Sequence, residues 1–147
     1  MIKFAVIGQG HVGKRHAEMI RRNPEAELIA VCDVLNKEEI GLADIKEDYF
    51  KKYEDLLAAE LNIDVINICT PNGSHAEYAI KALQAKKHVV LEKPIALTKK
   101  DAEDILFKSL EMSRHVFCVM QNRYSPPSVW LKELVDNNTL GEIQIQS

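Results

Sequence analysis

Residues 5–16 read AVIGQGHVGKRH: a short apolar run, three glycines and then a basic cluster. Gly8, Gly10 and Gly13 follow the spacing G-x-G-x-x-G. Glycine has no Cβ, so a loop with this spacing can turn tightly and bring its backbone close to a ligand. The spacing alone is weak evidence, and its meaning depends on what surrounds it.

Apolar runs typical of buried strands alternate with helical stretches along the chain. Strands are predicted at residues 2–8, 27–33, 64–70, 88–94 and 115–121, and helices at 11–22, 48–61, 75–87, 99–113 and 125–138. The stretch 34–50 leaves two interpretations open, a loop or a short helix at EEIGLAD (38–44). The alternation predicts an α/β fold with a Rossmann-type, doubly wound parallel sheet, since parallel strands need helical crossovers and are buried on both faces.

In such a fold each glycine has a separate purpose. Gly8 ends the first strand, Gly10 lets the backbone approach a pyrophosphate, and Gly13 lets the helix pack tightly on the strand. The free N–H groups and partial positive charge of the helix N-terminus favour a phosphate there. The sequence therefore predicts a dinucleotide site at the loop GQGHVG, formed by Gly8, Gln9, Gly10, His11, Val12 and Gly13.

An acidic residue at the end of the second strand supports this interpretation. Asp33 ends the run ELIAVCD, and its carboxylate can accept hydrogen bonds from both adenosine ribose hydroxyls while repelling a 2′-phosphate. No arginine follows Asp33 closely, which favours NAD over NADP, although Lys37 lies near enough to weaken that preference. For the cluster Lys14–His16, a solvated helix face and phosphate attraction both remain open.

The composition sets the class of protein. The chain has 147 residues, a net charge of −3, and 46% apolar and 28% charged residues, which indicates a globular domain and gives no sign of nucleic-acid or membrane binding. The N-terminus does not resemble a signal peptide. The cysteines Cys32, Cys69 and Cys118 lie far apart in apolar runs, which favours buried free thiols in a reducing cytoplasm and gives no support for a metal site.

The last 25 or so residues follow a different pattern. SPPSVWLKELVDNN (125–138) is predicted to be a helix that begins with prolines, and EIQIQS (142–147) alternates apolar and polar residues as a half-exposed antiparallel strand does. We expect residues 1–122 to form the dinucleotide-binding domain. Residues 123–147 are then the beginning of a second, α+β domain for substrate and oligomerisation, whose remainder is missing, with EIQIQS as an edge prone to self-association.

Several further motifs occur in a characteristic order. TPNGSH (70–75) and HVVLEKP (88–94) follow buried strands, and QNRYSPP (121–127) and LGEI (140–143) come later. With GQGHVG and the pair Cys32-Asp33, these motifs make the whole chain resemble the Gfo/Idh/MocA oxidoreductases, the family of glucose–fructose oxidoreductase and inositol dehydrogenases.

The resemblance implies roles for the residues that follow the later strands. Thr70, Pro71 and Asn72 are expected to border the nicotinamide half of the cofactor, with His75 at the start of the helix behind them. Glu92 and Lys93 are expected near the nicotinamide ribose, with Lys93 also facing the substrate hydroxyl as the candidate catalytic residue. Gln121 and Arg123 are expected to line the cofactor pocket at the domain junction.

The function implied is an NAD-dependent oxidoreductase that moves a hydride between the nicotinamide and a secondary alcohol of a sugar, polyol or sugar nucleotide. The proton acceptor is either Lys93 or a histidine of the second domain, without which residues 1–147 are expected to bind cofactor but not to catalyse. The family also implies a homo-oligomer. Two alternatives remain: a non-enzymatic regulator of the same fold, and an unrelated nucleotide-binding module such as a methyltransferase.

Overall fold

The computed structural model describes residues 1–144. It contains six strands, β1 to β6, at Ile2–Ile7, Ala26–Cys32, Asp48–Phe50, Val65–Ile68, His88–Leu91 and Val116–Cys118. Five α-helices, α1 to α5, lie at His11–Arg22, Tyr53–Ala58, His75–Gln84, Lys99–Glu111 and Pro126–Asp136. Short 3₁₀ turns occupy Asn72–Ser74 and Gln121–Tyr124.

The strands form one parallel sheet in the order β3-β2-β1-β4-β5-β6. This order confirms the predicted Rossmann-type sheet. The direction of winding reverses between β1 and β4, and in open parallel sheets ligands bind outside the carboxyl ends of the strands at that reversal. The edge that carries the carboxyl ends is therefore where a site is expected.

Alternating residues of the strands build two separate cores, one on each face of the sheet. On one face, Ala5 and Ile7 join the side chains of α2, α3 and α4, among them Leu83 and Ile105. On the other face, Val6 packs with Val31 of β2 and with Ala17 and Ile20 of α1. Because both faces are covered near β1, the central strands carry continuous apolar runs, as the sequence suggested.

The helix predicted at residues 48–61 is wrong in its bounds, and of the two interpretations of residues 38–44 the loop is correct. Asp48–Phe50 is a strand, not the start of a helix, because it pairs in parallel with Ala30–Cys32. The helix after it covers only Tyr53–Ala58. EEIGLAD contains turns and no helix, with Gly41 at a φ of +69° that a regular helix excludes.

The helix predicted at residues 125–138 is present as α5, with proline in its first turn. The strand predicted at EIQIQS is not present over residues 142–144, and residues 145–147 lie outside the described part of the chain. Within residues 1–144, no helix is both long and apolar enough to cross a membrane.

Candidate active site

Backbone contacts at the glycine loop (residues 8–13) leave room for glycine alone at two positions. Gly8 has a φ of +84°, and a Cβ there would lie 2.6 Å from the Cys69 carbonyl oxygen. A Cβ on Gly13 would lie 1.7 Å from the Gly8 carbonyl oxygen. The loop is thus packed between β1, β4 and α1 by its own backbone, which explains the spacing of these two glycines.

Gly10 is different, because it is exposed and a Cβ there would meet nothing within 4 Å. It precedes α1 as the N-cap residue and provides no side-chain cap. The amides of the first turn, which carries the exposed His11 and Val12, have no partner within the helix. This open helix N-terminus has the space and the donors that an anionic group needs.

Asp33 holds the glycine loop to the end of β2. One carboxylate oxygen, Oδ2, accepts the backbone N–H of Gln9 at 2.6 Å, and Oδ1 accepts the N–H of Leu35 at 3.0 Å. The Gln9 side chain is buried and donates to the Val6 carbonyl at 3.2 Å. Gln9 therefore supports the loop from inside, while each carboxylate oxygen of Asp33 keeps capacity for another donor.

The segment that follows Asp33 is supported from β3. The hydroxyl of Tyr49 donates to the Leu35 carbonyl at 2.7 Å. Burial, followed by the negative charge of Asp33, raises the pKa of Tyr49 to about 12, so the hydroxyl keeps its proton and remains a donor at neutral pH. The strand β3, which the sequence did not predict, thus supports the residues beside Asp33.

An open cavity of about 740 Å³ lies further along the same edge of the sheet. Of the predicted site residues, those lining it are His11, Val12, Thr70, Asn72, His75, Glu92, Lys93 and Gln121. The other glycine-loop residues and Asp33 lie outside the lining, as do Pro71 and the exposed Arg123. His11 and Val12 at the start of α1 therefore share this cavity with residues that follow β4 and β5. By their place in the chain, most of the predicted residues form two groups along the edge.

The first group is the glycine-loop region, defined as residues 8–13 and Asp33. The second is the lysine-turn region, defined as residues 70–75 and 92–94. In the second group the Glu92 carboxylate accepts from His16 Nε2 of α1, with 3.0 Å between Nε2 and Oε1. The other ring nitrogen, Nδ1, lies 3.0 Å from the amide nitrogen of Asn67 on β4. Since that amide nitrogen only donates, the His16 proton that reaches Glu92 is on Nε2.

His16 and Asn67 are the residues that sequence reasoning missed. The sequence leaves His16 open between a solvated helix face and phosphate attraction, and it predicts Asn67 only as part of the strand at residues 64–70. A signal existed for His16, because it lies on the helical stripe of Gly13, Ala17 and Ile20 that faces the sheet. Asn67 is buried, and the polar side chain inside the run DVINICT indicated a specific partner.

His75 is fully buried at the start of α3. Its Nδ1 lies 2.7 Å from the Pro94 carbonyl oxygen and its Nε2 lies 2.9 Å from the Thr70 carbonyl oxygen. Both ring nitrogens are therefore engaged by the protein. His75 lies at the wall of the cavity, where it joins the turn after β4 to the turn after β5.

Lys93 is exposed at the rim of the cavity, and its ammonium group forms no hydrogen bond or ion pair with residues 1–144. Its backbone N–H lies 3.3 Å from Glu92 Oε2, and the Lys93–Pro94 peptide is cis. The side chains around this lysine are held in place by the protein, and its own charge is left available. That is the arrangement expected of a residue that contacts a ligand.

Cys69 lies beneath the glycine loop, at the boundary between the two regions. Burial raises the pKa of its thiol to about 12, with a smaller contribution from the Glu92 carboxylate. The thiol is therefore protonated at neutral pH, and Cys69 packs as a small apolar residue.

A family model described as an oxidoreductase family with an NAD-binding Rossmann fold matches residues 2–119. The chain is 30% identical to myo-inositol 2-dehydrogenase of Thermotoga maritima over 96% of its own length, and 32% identical to D-glucoside 3-dehydrogenase of Escherichia coli over 98%. It spans 42% of the length of each of these curated relatives.

Solved structures show the same similarity. The WlbA dehydrogenase of Bordetella pertussis, in complex with NADH and UDP-GlcNAcA, superimposes with a TM-score of 0.88 and 32% identity over 97% of this chain and 44% of that one. Scyllo-inositol dehydrogenase of Lactobacillus casei, with bound NAD(H) and scyllo-inositol, gives a TM-score of 0.84 at 29% identity over 97% of this chain and 43% of that one.

Proposed function

The chain belongs to the Gfo/Idh/MocA oxidoreductase family, and on this premise we propose that it is the NAD-binding part of a dehydrogenase acting on a secondary alcohol. The substrate class is a sugar, polyol or sugar nucleotide, in line with the names of its relatives. The observation that carries the proposal is that one sheet edge holds both an open helix N-terminus beside Asp33 and, at the rim of a cavity, a lysine that pairs with no side chain of residues 1–144.

The glycine-loop region is suited to the adenosine diphosphate half of the cofactor. The open space at Gly10 and the uncapped amides of α1 fit a pyrophosphate, which a Cβ or a capping side chain would obstruct. Asp33 accepts hydrogen bonds from ribose hydroxyls with its remaining lone pairs. Its negative charge also disfavours the extra phosphate of NADP, so NAD is the proposed cofactor.

The lysine-turn region is suited to the nicotinamide half. Thr70, Pro71 and Asn72 border the ring, Glu92 and Lys93 lie near its ribose, and the bound nicotinamide accepts or supplies the hydride. The hydroxyl proton takes one of two routes. In the first, the Lys93 amine accepts the proton from the substrate hydroxyl. In the second, the Lys93 ammonium group donates a hydrogen bond to the substrate oxygen, and a histidine in the rest of the protein accepts the proton.

Residues 123–147 are proposed to begin the substrate and oligomerisation domain. Helix α5 leaves Val129, Trp130 and Leu131 exposed, at 41%, 60% and 51% of their surface. A helix with exposed apolar side chains indicates an interface with protein outside residues 1–144. Gln121 lines the cavity just before this helix, and Arg123 is proposed to join the same pocket from the domain junction.

Calorimetric titration of the chain with NAD, ADP-ribose and NADP tests the cofactor assignment. We expect NAD and ADP-ribose to bind and NADP to bind at least about tenfold more weakly, since each 1.4 kcal/mol is a factor of ten. Binding of none of the three would contradict the assignment, and stronger binding of NADP would contradict the role given to Asp33.

The proposed activity is tested in the full-length protein. Absorbance of reduced nicotinamide is followed with a panel of inositols, glucosides and sugar nucleotides, first with the unmodified enzyme and then with Lys93→Met. Reduction of NAD by at least one of these alcohols, lost in the variant with NAD binding retained, is the expected result. Cofactor binding without turnover of any alcohol would favour the regulator over the enzyme.

A further inference from the structure

We propose that His75 is a positioning residue that joins the two turns of the lysine-turn region through both nitrogens of its ring. This inference rests on the proposed function, because it is the nicotinamide half of the cofactor that lies between those turns. Its Nδ1 lies 2.7 Å from the Pro94 carbonyl oxygen, and its Nε2 lies 2.9 Å from the Thr70 carbonyl oxygen. Pro94 follows Lys93 directly, and Thr70 begins the turn proposed to border the nicotinamide.

The two acceptors determine the chemistry of the ring. A backbone carbonyl oxygen only accepts hydrogen bonds, and a neutral imidazole carries one N–H and one lone pair. Wherever the ring bonds one of these carbonyls, it is therefore the ring nitrogen that donates. The distances of 2.7 and 2.9 Å place both carbonyl oxygens within reach of the ring, so one side chain spans the gap between the two turns.

The surroundings of His75 fit a role inside the protein and not a role as acid or base. The side chain is fully buried, and no ring nitrogen is left for a substrate or cofactor atom. The titratable groups that line the same cavity are His11, Arg15, His16, Cys69, Glu92 and Lys93. Among residues 1–144, none of these pairs with the His75 ring, so its hydrogen-bonding partners are the two carbonyls alone.

The position of the ring explains why both contacts matter together. Thr70 and Pro94 follow the neighbouring strands β4 and β5, whose last paired residues are Ile68 and Leu91. Beyond those residues the strands diverge into separate turns. A ring that contacts both carbonyls fixes the separation of the turns, and with it the position of Lys93 relative to Thr70.

The first experiment observes the ring directly. Nitrogen-15 spectra of the histidine-labelled chain are expected to show a slowly exchanging one-bond N–H correlation from a buried ring, which is absent in His75→Gln. A His75 ring N–H that exchanges as fast as that of the exposed His11 would overturn the positioning role. The other histidines, His11, His16, His88 and His115, serve as internal references.

A pair of variants tests the positioning role. An asparagine amide can replace Nδ1 and keep the link to Pro94, whereas a glutamine amide can replace Nε2 and keep the link to Thr70. Because each variant cuts one link, we expect both His75→Asn and His75→Gln to weaken NAD binding by about tenfold while ADP-ribose binding changes by less than about twofold. A variant that leaves NAD binding unchanged would show that its missing link is not needed and would overturn the proposal.

The control separates positioning from stability. Tyr53→Phe also removes a buried donor to a backbone carbonyl, that of Tyr78 at 3.0 Å, but away from both turns. It is expected to lower the melting temperature without changing the ratio of NAD to ADP-ribose affinity. If the unmodified chain bound ADP-ribose as tightly as NAD, His75 would have no nicotinamide contribution to position and the inference would fail. Failure to bind either ligand would instead contradict the proposed function.

Discussion

The glycine-loop region and the lysine-turn region occupy one sheet edge but are built by different means. In the first, backbone packs on backbone: the hydrogens of Gly8 and Gly13 face carbonyl groups at distances that exclude a side chain. In the second, side chains from α1, β4 and α3 hold the turns, through His16, Asn67 and His75. A site formed by backbone packing is therefore specified by a short motif. A site formed by side chains depends instead on contacts between residues that are distant in the sequence.

The largest effect is expected where backbone packing is closest. Gly13→Ala places a Cβ 1.7 Å from the Gly8 carbonyl oxygen, so the helix or the loop must move. We expect a loss of about 3 kcal/mol in the free energy of unfolding, together with loss of NAD binding. Urea denaturation and calorimetry measure the two effects.

Gly10→Ala is the matched control for that substitution. Its Cβ would meet no atom within 4 Å and its φ of −68° suits alanine, so folding should be unchanged. NAD and ADP-ribose should nevertheless bind more weakly, because the methyl group takes space proposed for the pyrophosphate. Equal destabilisation by the two substitutions would contradict the distinction between a packing glycine and a ligand-facing glycine.

The next largest effect on nucleotide binding is expected at Asp33. This residue accepts a hydrogen bond from the glycine loop and is proposed to accept others from the ribose. Asp33→Ala removes the acceptor of the Gln9 N–H and the carboxylate that is proposed to accept hydrogen bonds from the ribose hydroxyls. NAD and ADP-ribose should both bind about thirtyfold more weakly, as expected for loss of about 2 kcal/mol from hydrogen bonds to a charged group. Discrimination against NADP should fall at the same time.

Asp44→Ala provides the charge control for Asp33, because it removes an exposed carboxylate from the same segment. It should leave the affinities for all three nucleotides unchanged. If Asp33→Ala weakened NAD but spared ADP-ribose, Asp33 would act on the nicotinamide half, and the division of the edge into two regions would be wrong.

The structure of the glycine-loop region follows from the local sequence for a physical reason. The steric demands at Gly8 and Gly13 are local, and Asp33 follows from the length of one strand–helix–strand unit. The sheet and most of its elements were predictable because buried strands and amphipathic helices have distinct periodicities. The strand at Asp48–Phe50 was not, because three residues before a helical stretch carry no pattern of their own and depend on pairing with β2.

The internal structure of the lysine-turn region was not predictable from local pattern. His16 lies 76 residues from Glu92 and 51 from Asn67 along the chain. No periodicity links residues so far apart, and the sequence gives only separate hints, which are the helical stripe that carries His16 and the polar Asn67 inside an apolar run. The family resemblance named the residues of the turns and His75, but not His16 and Asn67.

A smaller effect is expected from His16, because it acts on the cofactor only through Glu92. His16→Asn places its amide near the position of Nδ1, where it can meet Asn67 but does not reach Glu92. We expect NAD binding to weaken about fivefold and ADP-ribose binding to stay the same, as measured by calorimetry.

His16→Gln is the matched variant, because its amide nitrogen can take the place of Nε2 and donate to Glu92. NAD affinity should then stay within about twofold of the unmodified chain. If both variants weakened ADP-ribose instead, His16 would support the pyrophosphate end of α1, and the interpretation as a phosphate-attracting residue would be correct.

The smallest effect is expected from Ser74, whose hydroxyl lies 2.8 Å from both Thr70 Oγ1 and the Pro71 carbonyl oxygen. Because the carbonyl only accepts, Ser74 donates to Pro71 and accepts from the Thr70 hydroxyl. Ser74 is the N-cap residue of α3 yet makes no capping hydrogen bond, so its hydroxyl serves the turn and not the helix. Ser74→Ala should therefore weaken NAD about twofold and leave ADP-ribose unchanged.

Thr98 gives the opposite case at the start of α4, where its hydroxyl oxygen accepts the N–H of Asp101 as a true cap. Thr98→Ala should lower the free energy of unfolding by about 1 kcal/mol and change neither nucleotide affinity. Calorimetry and denaturation of the two variants thus compare hydroxyl groups of the same kind in two positions. If Ser74→Ala destabilised the fold as much as Thr98→Ala and left NAD binding intact, the hydroxyl of Ser74 would belong to helix α3 and not to the lysine-turn region.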